Sequence, residues 1–530
     1  MYKLRQEPTQ WKDFGWTIFQ EKIAIWRDNG TLICNTNITS SLFWALGFQE
    51  RGFSFTIYDG YGDGFEFKIY GKTDAAIAET TTFFCSLKHN DTKGSRLKIP
   101  IPSTDHFDFA AVFQPEQLAH VFDANPERIY EFVEGTLSPE HSVVLATRSF
   151  PLNVKLTWLS IGDNGTAFVD ALSKRDQPFF GLFSMTFCYA HLIPMSHDNV
   201  ERFLNLNISF EKLDLGILYD ECALLPFSMM TKALSYEFDL TSLDSSDFED
   251  LDISTKVLDL RINLGDTYDW DEHLISIFER IAELGHFQKL RVSVHQGFEG
   301  YYKIKDTTHI AEALIEAIAD NPGLECLDLG ESYRCLDWGF HFRAMFEAME
   351  DHPNLRKFMV DELVPHDYGP EMDHSDSDES DSDDSTSEDS GDGSDVYDWL
   401  KQLVSKNRKI VVHDSSGHRC SNGEEIDSVY LLNRMDGYKE LVKESTSLRP
   451  LLVATALIES ASETFQKSAL LLSNHADILC ELLHDANLED LFVASEETAL
   501  PASIPPPKSA DLKRKLRIQP PRAARKAARK

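Results

Sequence analysis

The residues whose types and spacing come nearest to chemistry lie in the stretch HDSSGHRC, where His413, Asp414, His418 and Cys420 stand close together. Imidazole, carboxylate and thiolate are the ligand types that zinc takes, and four of them would complete a tetrahedral site. Zinc sites usually draw on two paired clusters, however, and this stretch reads as a serine- and glycine-bearing loop, so no metal is expected. DGYGDGFEF, from Asp59 to Phe67, has the composition of a calcium loop, but Tyr61 holds the third position, where an oxygen ligand is needed. A turn is the better reading. His106 and Asp108 in HFDFAA read as strand or loop. No phosphate-cradling glycine loop, GxSxG elbow, HExxH helix or dinucleotide fingerprint is present. The expectation is a non-enzyme with no catalytic residue, cofactor or metal, although residues distant in sequence could still assemble a site.

With local chemistry absent, the elements that would display a surface matter more. The chain has 530 residues, 42% of them hydrophobic, enough to build a sizeable core. Its eight cysteines include no CxxC pair, which points to a reducing compartment rather than a disulfide framework. The N-terminal MYKLRQEPTQWKDFGW lacks the layout of a signal peptide, and no apolar run is long enough to span a bilayer. A soluble intracellular protein, cytoplasmic or nuclear, is expected. The sequons at Asn37, Asn90, Asn164 and Asn207 are then chance matches.

The formal net charge of -36 argues against general nucleic-acid binding, which needs positive charge. That charge is concentrated. EMDHSDSDESDSDDSTSEDSGDGSD, from residue 371 to 395, is almost wholly Ser, Asp and Glu, whereas the terminal KRKLRIQPPRAARKAARK is basic. Both segments are expected to be disordered.

Apolar residues at relative positions 1, 4 and 6 recur along the middle of the chain. They occur in PLNVKL from 151, FGLFSM from 180, FEKLDL from 210, ALSYEF from 233, VLDLRI from 257, FQKLRV from 287, LECLDL from 324 and LRKFMV from 355. Helical patterns separate the clearest copies: Leu274, Ile277, Phe278, Ile281 and Leu284; then Ile310, Leu314 and Ile318; then Phe342, Met345, Phe346 and Met349. An NP or HP dipeptide stops the last two, because proline disfavours helical geometry in the residue before it. A degenerate copy, NRKIVV from 407, follows a helical pattern carrying Val396, Trp399, Leu400 and Leu403. Removing the acidic stretch before it restores one ordinary repeat, so that stretch reads as a loop inserted into a repeating array.

A strand, a turn, a helix and a stop cannot bury their apolar faces alone, but stacked copies can. The array resembles the leucine-rich repeat family, in the longer strand-helix form seen in ribonuclease inhibitor, over roughly residues 120 to 430. The resemblance implies an α/β fold, a leucine-rich-repeat-like β/α solenoid shaped as a horseshoe. It departs from the family where an Asn or Cys should follow the third apolar residue. Only Cys188 matches, while Gly265, His295 and Ser332 do not. Something else must then satisfy the loop backbone.

Ahead of the array, Phe53, Phe55 and Ile57 alternate with polar residues, as do Phe65, Phe67 and Ile69, the pattern of a β-hairpin. Thr73 is the expected N-cap of a following helix. Residues 1–118 therefore read as a small α+β N-terminal cap, and 119–430 as the solenoid, with the disordered acidic insertion over about 368–395. Residues 431–490, with Leu471, Ile478 and Leu482 at helical spacing, read as a helical C-terminal cap, and 491–530 as a disordered basic tail.

The middle residue of each strand phrase would point to the concave face, since side chains alternate along a strand. Those positions are Lys155, Ser184, Asp214, Glu237, Arg261, Arg291, Asp328 and Met359. Of these, Lys155, Asp214, Glu237, Arg261, Arg291 and Asp328 are the candidate protein-binding residues. The leading expectation is a non-enzymatic scaffold that binds a protein partner of unknown identity there. The alternative is an acidic escort of basic nuclear proteins, working through the Asp/Glu/Ser tract. A third is a substrate receptor or regulator within an enzyme complex, which rests on the fold resemblance alone. Ser375, Ser380 and Ser385 each have an acid three places on and would suit an acid-directed kinase.

Overall fold

The computed structural model describes residues 3–4, 7–10, 23–35, 46, 48, 52–58, 64–88, 94–101, 109, 113–175, 179–186, 193–265, 269–295, 307–330, 336, 338–361, 363, 394–423, 425–431 and 433. Residues 371–393 of the acidic tract, with Ser375, Ser380 and Ser385, His106, Asp108, and everything beyond 433, where a helical cap and a basic tail are expected, lie outside the described residues; Ser394 and Asp395 at the tract's end belong to a helix.

Among the described residues, sixteen strands form a single sheet. Its first part is mainly antiparallel: β1 (Lys3–Leu4), β2 (Ile23–Trp26), β3 (Leu32–Cys34), β4 (Gly52–Tyr58) and β5 (Phe65–Tyr70). The hairpin foreseen from alternation is β4 against β5, with Phe55 opposite Phe67. Phe53, Phe55, Ile57, Phe67 and Ile69 all turn inward. Helix α1 (Asp74–Ser86) follows, and the Thr73 side chain accepts from the Ala76 N–H as its N-cap.

From β6 (Arg96–Pro100) onward, each new strand lies parallel beside the one before it in chain order. The connections to β7 (Ile129–Leu137), β8 (Asn153–Ile161), β9 (Phe179–Thr186) and β10 (Ser209–Leu215) run through helices α2 (Pro115–Ala124), α3 (Pro139–Ala146), α4 (Thr166–Ser173) and α5 (His197–Leu204). Strands β11 (Thr231–Asp239) and β12 (Val257–Asn263) are reached through short 3-10 turns, Asp220–Cys222, Leu225–Ser228 and Ser245–Phe248. These are the two units whose phrases stand closest in sequence, with too few residues for an α-helix and its two turns. Helices then return: α6 (Trp270–Leu284), β13 (Lys289–His295), α7 (Thr308–Ala319), β14 (Cys326–Asp328), α8 (Phe342–Glu350), β15 (Lys357–Met359), α9 (Ser394–Lys406) and β16 (Val411–His413).

Every apolar phrase in the sequence lies on a strand of this sheet. Two parallel strands, β6 and β7, precede the first phrase. The β7 copy escaped the pattern because Glu127 occupies its first apolar position. Most of the parallel strands bury alternate residues, as in β12, where Leu258, Leu260 and Ile262 are covered and Asp259, Arg261 and Asn263 are half-exposed. Successive helices pack on one another along the chain, and one hydrophobic core runs between the helical layer and the sheet from Ile25 to Tyr430. On β2 and β3 the opposite face carries a second apolar cluster, Ala24, Leu32, Cys34 and Phe48, whereas along the parallel strands it is mainly polar.

Register corrects one expectation. Leu213 in β10 aligns with Leu234 in β11, Leu258 in β12 and Leu290 in β13. The row of Asp214 and Arg291 therefore continues through Ser235 and Asp259, and Glu237 and Arg261 stand two residues further along their strands. Strands β11 and β12 each bury three alternating apolar residues, and in the paired frame position 1 is Thr231 or Thr255, so a search for three apolar residues settles two residues too late. Pairing with neighbours gives the frame.

The missing loop ladder is replaced at the other end of the strands, where helices stop. Asn321 Nδ2 donates to the carbonyls of Ile281, 3.0 Å, and Ala317, 2.8 Å, while its Oδ1 accepts from the Phe287 N–H at 3.0 Å. In the next unit, His352 Nε2 donates to the Asn321 carbonyl at 3.0 Å, and Nδ1 accepts from the Leu355 N–H at 3.0 Å. Asn407 then donates to the carbonyls of Met349 and His352. The same dipeptides that stop the helices thus stitch each unit to the one before it. Nearer the N-terminus, buried Arg128 caps the end of α1, donating to the carbonyls of Cys85, 2.7 Å, and Leu87, 3.1 Å.

Candidate recognition face of the sheet

The polar face is positioned by the alternation that buries the other side: Leu, Val, Ile and Phe turn toward the helices, so the residues between them turn away. Lys155 stands there on β8, Asp214 on β10, Glu237 on β11, Arg261 on β12, Arg291 on β13 and Asp328 on β14. The sequence-selected residues therefore share one face, though not one row.

Two ion-pair groups organise its middle. Asp214, with 15% of its side chain exposed, accepts from Ser184 Oγ at 2.9 Å and from Arg261 Nη2 at 3.0 Å. Arg261 Nη1 also lies 3.6 Å from Glu237 Oε2. In the second group, Asp259 accepts from Ser235 Oγ at 3.0 Å, and Arg291 Nε lies between Asp259, at 3.9 Å, and Asp328, at 3.5 Å. Asp259 and Ser235 were missed by the sequence pattern because Thr231 and Thr255 stand at the first position of their frame. Four carboxylates thus face two guanidiniums, leaving this patch negative. Such half-exposed pairs each contribute only about 0–1 kcal/mol to folding, so they fix side-chain positions more than they stabilise.

At β6 to β8 the arrangement differs. Glu131 is held by Arg96, 3.3 Å, and Lys98, 3.9 Å, and the Arg96 guanidinium lies 3.8 Å from the Tyr58 ring centroid. Just beyond, Glu134 (φ 61), Gly135 (φ 90) and Trp158 (φ 52) adopt left-handed backbone. Val133 pairs with Thr157 and Gly135 with Leu159, which sets Glu134 opposite Trp158 on neighbouring strands. A Cβ on Gly135 would stand 1.5 Å from the Ile101 carbonyl oxygen, so glycine is required there. Glu134 and Trp158 enjoy no such freedom, and left-handed backbone costs each about 1–3 kcal/mol. Strict alternation after Val154 and Leu156 would have turned Trp158 inward; the bulge turns it out, 50% exposed.

Four described thiols are held in the protonated form. Burial pushes the thiols of Cys85 and Cys420 up to about 12 and that of Cys222 to about 11. Cys326 lies on the polar face between Lys289 and Lys357, yet burial raises its pKa as well, against the pull of Lys357. A thiol that stays protonated is a poor nucleophile. His413, Asp414, His418 and Cys420 do not converge: His413 bridges to Arg419, His418 Nδ1 lies 3.4 Å from Asp414 Oδ2 with its ring exposed, and the Cys420 N–H donates to the Val412 carbonyl. Among the described residues no group of three or more metal-ligating side chains comes together. Nor, among them, is any helix long and apolar enough to cross a membrane. Ser375, Ser380 and Ser385 lie outside the described residues.

Comparison with protein-family models, with curated proteins and with solved structures found no match for this chain.

Proposed function

We propose that the chain is a leucine-rich-repeat-like solenoid that acts as a non-enzymatic scaffold, taking a protein partner on the polar face of its sheet. The observation that carries this reading is the face itself: helices cover one side of the parallel sheet, while the other presents fixed, half-exposed charges in register across successive strands. A broad surface of mixed charge suits a protein better than a small molecule, which needs a concave apolar pocket. The surplus of carboxylates around Arg261 and Arg291 favours a basic partner, and the net charge of -36 would speed its arrival.

The test starts by isolating partners with the intact chain, then measures each purified partner's affinity against three proteins: wild type, the Glu237→Gln/Asp328→Asn double variant, and a chain lacking 371 to 395. The substitutions remove charge but not shape. Affinity reduced about tenfold or more by the double variant and unchanged by the deletion supports recognition by the sheet. Affinity lost with the deletion, and falling steeply with salt, would instead assign binding to the acidic tract and make the protein an escort of basic proteins.

A further inference from the structure

The strained pair on β7 and β8 says more about the partner. Glu134 and Trp158 are exposed, stand opposite each other on neighbouring strands, and hold backbone conformations that bulky residues avoid. Neither side chain makes an ion pair or ring contact with another described residue, so no contact among these residues explains the strained display. Strain of this kind persists where the surrounding fold imposes it, and it gathers at ligand sites. Bulges, likewise, are used to re-aim side chains.

We infer that Glu134 and Trp158 form a receptor for an arginine side chain of a protein partner, a conclusion that rests on the face reading above. Neighbouring parallel strands lie about 4.8 Å apart, which lets one guanidinium stack on the indole while its edge pairs with the carboxylate. Arginine suits this better than lysine because its planar fork can do both at once. Glu131, the other carboxylate on these strands facing the same way, is already held by Arg96 and Lys98. Glu134 is therefore the carboxylate of β7 left to receive a cation. Thr136 and Ser160, bonded to each other at 2.7 Å just past the pair, offer hydroxyls to the partner backbone.

The test uses the full chain with 5-fluorotryptophan in place of its eight tryptophans. Trp158→Phe identifies the resonance of residue 158 by its loss. A short synthetic peptide alternating arginine and glycine is then titrated in, beside the same peptide with citrulline for arginine. The residue-158 resonance should shift saturably with arginine only, and Glu134→Gln should raise the midpoint of that shift about fivefold. Glu134→Gly should also raise it while increasing the thermal midpoint of unfolding, because glycine accepts the left-handed backbone. A resonance that stays still while others move, or one that responds equally to citrulline, overturns the inference. Failure here is separable from failure of the face reading, which falls if the Glu237→Gln/Asp328→Asn variant keeps full affinity for the isolated partner or if the chain lacking 371 to 395 loses it.

Discussion

Asn321 offers the sharpest test of how the units are joined. Its side chain is 1% exposed and serves three backbone groups: the Phe287 N–H and the carbonyls of Ile281 and Ala317. Asn321→Ala would leave the Phe287 N–H without its acceptor, at about 1–3 kcal/mol for a buried unsatisfied donor, and would remove two carbonyl bonds worth about 0.5–1.5 kcal/mol each. The Ile281 carbonyl keeps the Gly285 N–H at 3.2 Å, which trims the loss. A total of about 2–4 kcal/mol is expected. Asn354→Ala is the control, since Asn354 donates to the Pro322 carbonyl at an exposed site and should cost under about 1 kcal/mol. Urea unfolding followed by circular dichroism reads the difference, and hydrogen exchange reads its place. The Phe287 amide and its neighbours in α6 and β13 should lose protection first, because repeating units contact chiefly their neighbours. Equal unfolding midpoints for the two variants, or unchanged exchange at Phe287, would refute the ladder.

Burial holds His352 below the ordinary histidine range, as it does His141, whose Nε2 bonds the Phe113 carbonyl. Their folded pKa values lie below the unfolded value near 6.5, so the unfolded chain takes up protons first. Stability should be full above about pH 6.5 and fall as pH drops below it, and thermal unfolding of His352→Asn should show a flatter pH dependence. Arg128→Leu leaves the Cys85 carbonyl without its buried side-chain donor, while the Leu87 carbonyl keeps Asn125 Nδ2 at 3.2 Å, and should cost about 1–3 kcal/mol in urea unfolding; Arg128→Lys should recover less than half, since one ammonium cannot span both. Gly135→Ala should cost more than about 3 kcal/mol, or abolish soluble expression, because its Cβ meets the Ile101 carbonyl at a φ of 90. Substituting Gly30, also left-handed (φ 80) but with open space around it, should cost far less.

The sequence by itself determined the periodic part of this protein. The 1, 4, 6 apolar phrases marked β8 to β15, helical spacing marked the buried faces of α6 to α8, and the NP and HP dipeptides marked where two of those helices end. These are local signals, set by side-chain periods of two and of about three and a half and by the steric limits of proline. Glycine-centred alternation likewise gave the β4 to β5 hairpin.

What only the tertiary structure decided was how those elements meet. Register selected Ser235 and Asp259, rather than Glu237 and Arg261, as the residues in line with Asp214 and Arg291, because β11 and β12 are apolar at three alternate positions and carry Thr231 and Thr255 where the other phrases begin on an apolar residue, so only pairing with a neighbour reveals the frame. The partners of Asn321 and Arg128 lie about forty residues away, and nothing local in NPGLE or NPERI names them. Trp158 is the clearest case. Its sequence places it in phase with the core, yet matched left-handed turns on two strands turn it out to solvent, an outcome fixed by the backbone on either side of it and invisible to a pattern that assumes every strand is regular.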